Sequence, residues 1–234
     1  MKINKVFPTL TSVLCLIILV AFINPKPRIL FLLGDSISLQ YGTDLQKFLS
    51  PGYLIERKDG DSVAFKNLDI PLGANGGDSR MVLSYLQIKI KDPAFHPDIF
   101  MLNCGLHDVK RDPKSGKIAV EEKDYRKNLE AIYKLIASKK IPMIWIRTTG
   151  VIDSLHRKNK GFNRYLKDIE RYNEIADELF DKVKVEKIDL FGFTAVQGEN
   201  RFVDHAHYTP EIRKLQAAYI SGFISLWQSR HKPK

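Results

Sequence analysis

Apolar and polar residues alternate along the chain in blocks that predict strands followed by helices. The apolar run Arg28–Leu33 lies between Pro27 and Gly34, and a segment with helix-compatible spacing follows it over residues 38–50. An apolar run of this length is typical of a strand buried on both faces of a parallel sheet. The first unit of the fold is therefore predicted to be a strand, a short turn and a helix.

The same alternation continues to the C-terminus. Further strands are predicted at 53–57, 97–104, 141–148 and 183–190, and amphipathic helices at 79–90, 124–138 and 165–180. Thr209 and Pro210 are the N-cap and first-turn signals of a last helix. Strands that alternate with helices predict an α/β fold, in which helices cover both faces of a mostly parallel sheet of five strands.

The N-terminus carries an apolar segment that is separate from this pattern. No charged residue occurs over 6–24, and Lys2 and Lys5 precede the segment. Residues 1–27 are therefore predicted to be a signal peptide or an N-terminal membrane anchor. The anchor is favoured, because the best cleavage site ends at Ala21 and has only one small residue. The remaining 28–231 are expected to form one catalytic domain outside the cytoplasm, in the periplasm, the extracellular space or a secretory lumen.

Composition narrows the class of protein only a little. The 234 residues are 44% hydrophobic and 27% charged, which excludes global disorder. The formal net charge of +10 suits an acidic glycan, an anionic membrane or nucleic acid. No nucleic-acid motif is present, so nucleic acid is not expected as a partner. Cys15 and Cys104 show neither disulfide nor zinc spacing, and no metal or other cofactor is predicted.

Polar residues follow four of the predicted strands. Ser36 follows the first strand, Gly77 lies between the second strand and its helix, and Asn103 and His107 follow the third. A polar segment at 204–210 follows the fifth strand. The carboxyl ends of parallel strands meet at one edge of a sheet, so these groups are expected to converge.

The converging groups include those that acyl transfer requires. Ser36 is a candidate nucleophile, although a serine at a helix N-terminus is also an ordinary cap. His207 is the candidate base, and Asp204, three residues earlier, is placed to orient its ring.

An oxyanion hole is expected beside the nucleophile. The backbone N–H groups of Ser36 and Gly77 are two candidate donors, and a side chain from Asn103 or His107 is the third. Glycine at position 77 permits a close approach of substrate to the backbone.

These residues resemble the four sequence blocks of the SGNH/GDSL hydrolase family. The blocks match as Gly34-Asp35-Ser36, as Gly77, and as the Asp-x-x-His of Asp204 and His207. The third block departs from the pattern, because His107 stands where the family has asparagine. Together with Asn103 it forms Asn-x-Gly-x-His, which looks like the variant of esterases and O-acyltransferases that act on polysaccharides. The resemblance implies a flavodoxin-like three-layer α/β/α sandwich and a metal-independent serine esterase or acyltransferase.

The expected function is therefore removal of a short acyl group, acetyl first, from a cell-envelope glycan. An O-acyltransferase on a polysaccharide and a lysophospholipase are the alternatives, so the substrate is an acylated glycan or lipid. More distant alternatives are a non-catalytic glycan-binding domain and a binuclear metallophosphoesterase. The latter lacks two ligands, since Ile37 and Leu106 occupy the required positions. Ser36 also lacks the Gly-x-Ser-x-Gly context of α/β-hydrolases.

Other polar residues near these motifs have ordinary structural interpretations. Asp35 and Asp108 are expected to hold loops, and Asp78 with Ser79 to cap a helix. His205 is expected to lie in an exposed loop, and the basic loop 156–160 to be a solvated face.

Overall fold

The computed structural model describes residues 26–155 and 161–231. Its centre is a five-stranded sheet in the order β2-β1-β3-β4-β5. Each neighbouring pair of strands is parallel. The strands are β1 Arg28–Leu33, β2 Tyr53–Glu56, β3 Ile99–Leu102, β4 Met143–Ile146 and β5 Glu186–Ile188.

The helices lie between and after these strands. They are α1 Ser36–Leu49, α2 Asp61–Ala64, α3 Ser79–Lys89, α4 Glu122–Ser138, α5 Leu166–Lys182, α6 Leu190–Ala195 and α7 Pro210–Arg230, with a 3₁₀ turn at Glu199–Arg201.

Two helical layers enclose the sheet. Helix α1 packs against α7, which also contacts α6, while α3, α4 and α5 contact one another in sequence. In the sheet, β2 lies on one side of β1, and β3, β4 and β5 follow one another on the other side. Right-handed crossovers therefore place α1 on one face of the sheet and α3, α4 and α5 on the opposite face. The predicted three-layer α/β/α sandwich is confirmed.

The central strands are apolar because both of their faces are covered. Every residue of β3 and β4 is buried. The rings of Phe31 and Phe100 stack across β1 and β3 with centroids 6.0 Å apart. This core fixes the carboxyl ends of β1 and β3, from which the polar loops of the site extend.

The predicted elements match the structure in kind and differ at their ends. Helix α1 begins at Ser36 rather than at the predicted residue 38, because the Asp35 carboxylate caps it by accepting a hydrogen bond from the Ile37 N–H. The short helices α2 and α6 were not predicted, since each is too brief for a periodic pattern.

The predicted leader lies outside the described residues over 1–25. Within the described part of the chain, no helix is long and apolar enough to cross a membrane.

Candidate active site

Ser36 lies where β1 ends and α1 begins. Asp35 caps the helix: its Oδ1 accepts from the Ile37 N–H at 2.9 Å, and its carbonyl accepts from the Ser38 hydroxyl at 2.7 Å. A Cβ on Gly34 would lie 2.7 Å from Ser38 Oγ, so this turn has no room for a larger residue. Ser36 is consequently the first residue of a helix, where backbone N–H groups have no intrahelical acceptor.

A tight loop between α6 and α7 carries the Asp-x-x-His pair. Backbone bonds close the loop, from the Val203 N–H to the His207 carbonyl at 2.9 Å and from the Thr209 N–H to the Arg201 carbonyl at 3.0 Å. Inside it, Asp204 Oδ1 accepts from the N–H groups of Ala206 and His207, both at 2.8 Å. One carboxylate oxygen thus shapes the loop and leaves the other for the imidazole.

Ser36, His207 and Asp204 form a continuous chain of contacts. His207 Nε2 lies 3.0 Å from Ser36 Oγ, and His207 Nδ1 lies 2.7 Å from Asp204 Oδ2. Ser36 is 1% exposed and His207 is 4% exposed, whereas the Asp204 side chain is 41% exposed. This is the geometry in which an imidazole accepts a serine proton while a carboxylate fixes its tautomer.

The Asp204 carboxylate is ionised in this arrangement. Partial burial would by itself raise its pKa, but hydrogen bonds from the His207 ring and from the Ala206 and His207 backbone outweigh burial. Together they hold the pKa of Asp204 well below its ordinary value. A permanent negative charge therefore faces the imidazole.

Gly77 adopts the left-handed backbone that favours glycine, with φ of +75°. A Cβ at this position would lie 2.5 Å from Met81 Sδ. The Gly77 N–H donates to Asn75 Oδ1 at 3.1 Å, and Asn75 is fully buried. Asn75 is a supporting residue that the sequence motifs did not indicate.

Asn103 and His107 follow β3 but occupy different environments. The Asn103 amide donates to the Ile146 carbonyl at 3.0 Å and to Thr148 Oγ1 at 3.3 Å, which joins the ends of β3 and β4. His107 is 4% exposed, and its Nδ1 has no hydrogen-bond partner in the described part of the chain. Burial lowers the pKa of His107 well below its usual range, and the charges of Arg164 and Lys110 lower it further, so the ring is neutral.

Three buried or half-buried residues beside the triad were not predicted as part of the site. The expectation that His205 is exposed was wrong, because it is 3% exposed and its Nε2 lies 3.1 Å from Asp69 Oδ1. Arg164 is 2% exposed, and burial lowers its pKa to about 10 while the carboxylates of Asp35, Asp69 and Asp204 act in the opposite direction. Asp69 lies in the turn-rich segment before Gly77, where no spacing marked it.

The remaining acidic groups have the structural roles expected of them. Asp78 caps α3 by accepting from the N–H groups of Arg80 and Met81. Both carboxylate oxygens of Asp108 accept from the Ser79 N–H, at 2.9 and 3.1 Å. The basic loop 156–160 lies outside the described residues.

Comparison with known proteins places this site in a family. The model of the GDSL-like lipase/acylhydrolase family matches residues 32–215, which contain Ser36, Gly77, Asn103 and the Asp204/His207 pair. Among curated proteins, no sequence matches this chain significantly.

Solved structures with the same fold include several ester hydrolases. An acetyl xylan esterase is 18% identical, with 84% of this chain and 99% of that chain covered and a TM-score of 0.61. A lipase/acylhydrolase from Enterococcus faecalis is 19% identical, with 88% and 98% covered and a TM-score of 0.61. A carbohydrate acetylesterase from Sinorhizobium meliloti is 13% identical, with 86% and 99% covered and a TM-score of 0.58.

The family match spans most of the chain and includes the blocks around Ser36 and His207. It decides against a metallophosphoesterase and against a non-catalytic binding domain. The chain belongs to the GDSL-like lipase/acylhydrolase family and is an enzyme that hydrolyses ester bonds.

Proposed function

We propose that this enzyme removes a short acyl group, acetyl first, from a cell-envelope glycan, and that it works outside the cytoplasm. The observation that carries the ester chemistry of this proposal is the contact chain from Ser36 through His207 to Asp204, in which Ser36 and His207 are 171 residues apart in sequence. The apolar N-terminal segment supports the location, through export or through a membrane anchor.

In the proposed mechanism Ser36 is the nucleophile and His207 the general base. As Ser36 Oγ attacks the ester carbonyl, its proton passes to His207 Nε2. Asp204, ionised and bonded to Nδ1, stabilises the resulting imidazolium. His207 then protonates the departing alcohol, and the same base activates the water that releases the acyl group from Ser36.

In this proposal the tetrahedral oxyanion is held by donors from the segments that follow β1, β2 and β3. The Ser36 N–H belongs to the first turn of α1, and the Gly77 N–H, which donates to Asn75 here, is the second donor. We assign the third position to His107. Using the Asn103 amide would break two bonds that join the ends of β3 and β4, whereas Gly77 would give up one bond to a side chain. His107 Nδ1 is buried and has no hydrogen-bond partner in the described part of the chain, so its use breaks none.

Several observations support a small acyl group on a carbohydrate. Ser36 and His207 are both nearly inaccessible, which fits an acetyl group better than a long acyl chain. Two proteins of the same fold carry names that describe esterases of acetylated carbohydrate. The Asn-x-Gly-x-His sequence of 103–107 agrees with that substrate class.

Release of acetate from acetylated xylo-oligosaccharides tests the substrate. We expect acetate from the wild type and none from Ser36→Ala, measured by mass spectrometry of the sugar products. Esters of a p-nitrophenol series should fall in kcat/KM as the acyl chain lengthens beyond acetyl. A preference for long chains, or for lysophospholipid over acetylated sugar, would overturn the substrate assignment while leaving the serine mechanism intact.

A further inference from the structure

Asp204 faces two histidines rather than one. Its Oδ2 lies 2.7 Å from His207 Nδ1, and its Oδ1 lies 3.5 Å from His205 Nδ1. The two rings are nearly perpendicular, at 79°, with centroids 5.7 Å apart. A carboxylate behind Nδ1 of an imidazole is the arrangement that orients histidines for metal binding through Nε2.

Asp69 adds an oxygen to these nitrogens. Its Oδ1 lies 3.1 Å from His205 Nε2. One ligand atom from each of Asp69, His205 and His207 lies within 4.8 Å of the other two. Tetrahedral zinc with bonds of about 2.0–2.1 Å separates neighbouring ligand atoms by roughly 3.3 Å. The Asp69 and His205 atoms are already close to this spacing, at 3.1 Å. His207 lies within 4.8 Å of both, so it needs to approach by at most about 1.5 Å.

We propose that Asp69, His205 and His207 form a binding site for a divalent transition-metal cation, Zn²⁺ first. Two imidazole nitrogens and a carboxylate oxygen are donors that suit zinc, and Ser36 Oγ or water is available for the fourth position. Both histidines are buried, which limits their side chains to small movements of the kind that His207 needs.

The bound cation is an inhibitor rather than a cofactor, and this part of the inference rests on the proposed function. The lone pair of His207 Nε2 that accepts the Ser36 proton is the one that would bind the metal. Two positive groups near Asp69 oppose the cation, because Lys110 Nζ donates to the Asp69 carbonyl at 3.2 Å and Arg164 interacts with Asp69 electrostatically. The site is therefore expected to bind zinc reversibly rather than to retain it through purification.

Equilibrium dialysis of the metal-free enzyme against Zn²⁺ tests the site. We expect one zinc per chain in the wild type, and a dissociation constant raised by about 100-fold in His205→Ala and by at least about 10-fold in Asp69→Asn. His96→Ala is the control, since His96 is an exposed histidine away from the cluster. Asp69→Asn preserves side-chain size, so it remains informative if His205→Ala fails to fold. Equal binding by the wild type and both variants, or no binding by the wild type at millimolar zinc, would overturn the site.

Labelling of Ser36 by a fluorophosphonate in the presence of zinc tests the inhibition. Zinc should slow labelling of the wild type, a chelator should restore it, and His205→Ala should need about 100-fold more zinc for the same effect. Zinc that binds in dialysis without slowing labelling would disprove inhibition. If metal-free enzyme does not label at Ser36 at all, the proposed function fails, and dialysis alone still decides the metal site.

Discussion

At the scale of single residues, the Asp204 side chain has more than one role. One carboxylate oxygen accepts two backbone N–H groups and so sets the loop, while the other holds the His207 ring at 2.7 Å. The backbone bonds explain why a spacing of three residues is enough for the Asp204 carboxylate to contact the His207 ring. The Asp-x-x-His motif thus stabilises the loop as well as orienting the catalytic histidine.

The third oxyanion donor is the residue-scale question that mutation can answer. We expect His107→Ala to lower kcat by about 100-fold with little change in KM, because it removes a donor that acts on the transition state. Asn103→Ala should mainly lower stability. We expect the free energy of unfolding to fall by about 1–3 kcal/mol, because the Ile146 carbonyl and Thr148 Oγ1 lose their donor.

Steady-state kinetics and urea unfolding of both variants separate these effects. The reverse pattern, in which Asn103→Ala loses kcat at full stability and His107→Ala only loses stability, would exchange the two roles.

At the scale of elements, the site depends on junctions that join neighbouring loops. Asp108, in the loop after β3, accepts with both carboxylate oxygens from the N–H of Ser79, the first residue of α3. Asn173 in α5 similarly bonds both the N–H and the carbonyl of Thr148, just past β4. These bonds fix the loops after β3 and β4 to helices on the same face of the sheet.

The Asp108 junction has a predictable pH dependence. Burial raises the pKa of Asp108 from 3.8 to about 7, so between these values the folded protein binds a proton that the unfolded chain has lost. The contribution of Asp108 to stability is therefore present below pH 4, falls as pH rises towards 7, and is constant above it. Relative to Asp108→Asn, which keeps an oxygen for the Ser79 N–H, the wild type should lose about 2–4 kcal/mol of unfolding free energy between pH 4 and pH 7.

Urea unfolding of the two proteins at several pH values measures this difference directly. Asp59→Asn, at an exposed position outside this junction, is the matched control for the replacement of an aspartate by asparagine. Parallel curves for the wild type and Asp108→Asn would show that the buried carboxylate does not change its protonation in this range.

Elements were predictable from the sequence to a greater extent than the surroundings of the site. Apolar runs and helical spacing indicate the sheet and the longer helices, since burial of a strand or a helix face leaves a periodic trace. No periodic pattern in the sequence indicates that His205 and Arg164 are buried or that Asp69 lies beside them. Each depends on loops that meet only after the sheet has formed, so neither spacing nor composition indicates them.

At the scale of the whole molecule, the sequence predicts a division between an N-terminal leader and a catalytic domain. Strand β1 begins at Arg28, whose N–H donates to the Gly52 carbonyl at 3.0 Å. The family match begins at residue 32 and ends at 215, inside α7. The catalytic domain over 28–231 stays a prediction.

Removal of residues 1–27 tests the division. We expect the truncated protein to fold and to keep the kcat/KM of the full chain on a soluble acetyl ester, because the sheet and the triad lie beyond the cut. The full chain expressed in cells should sediment with membranes, and the truncated one should not. Loss of folding on truncation, or a full-length protein that stays in the cytoplasmic fraction, would contradict the leader assignment.

The central claim is that Ser36 is the nucleophile activated by His207. Labelling with a fluorophosphonate probe, followed by mass spectrometry of the modified peptide, tests it most directly. The account predicts a single adduct on Ser36 in the wild type, none in Ser36→Ala, and labelling slowed by at least about 1,000-fold in His207→Ala. Equal labelling of wild type and Ser36→Ala, or an adduct on another residue, would contradict it.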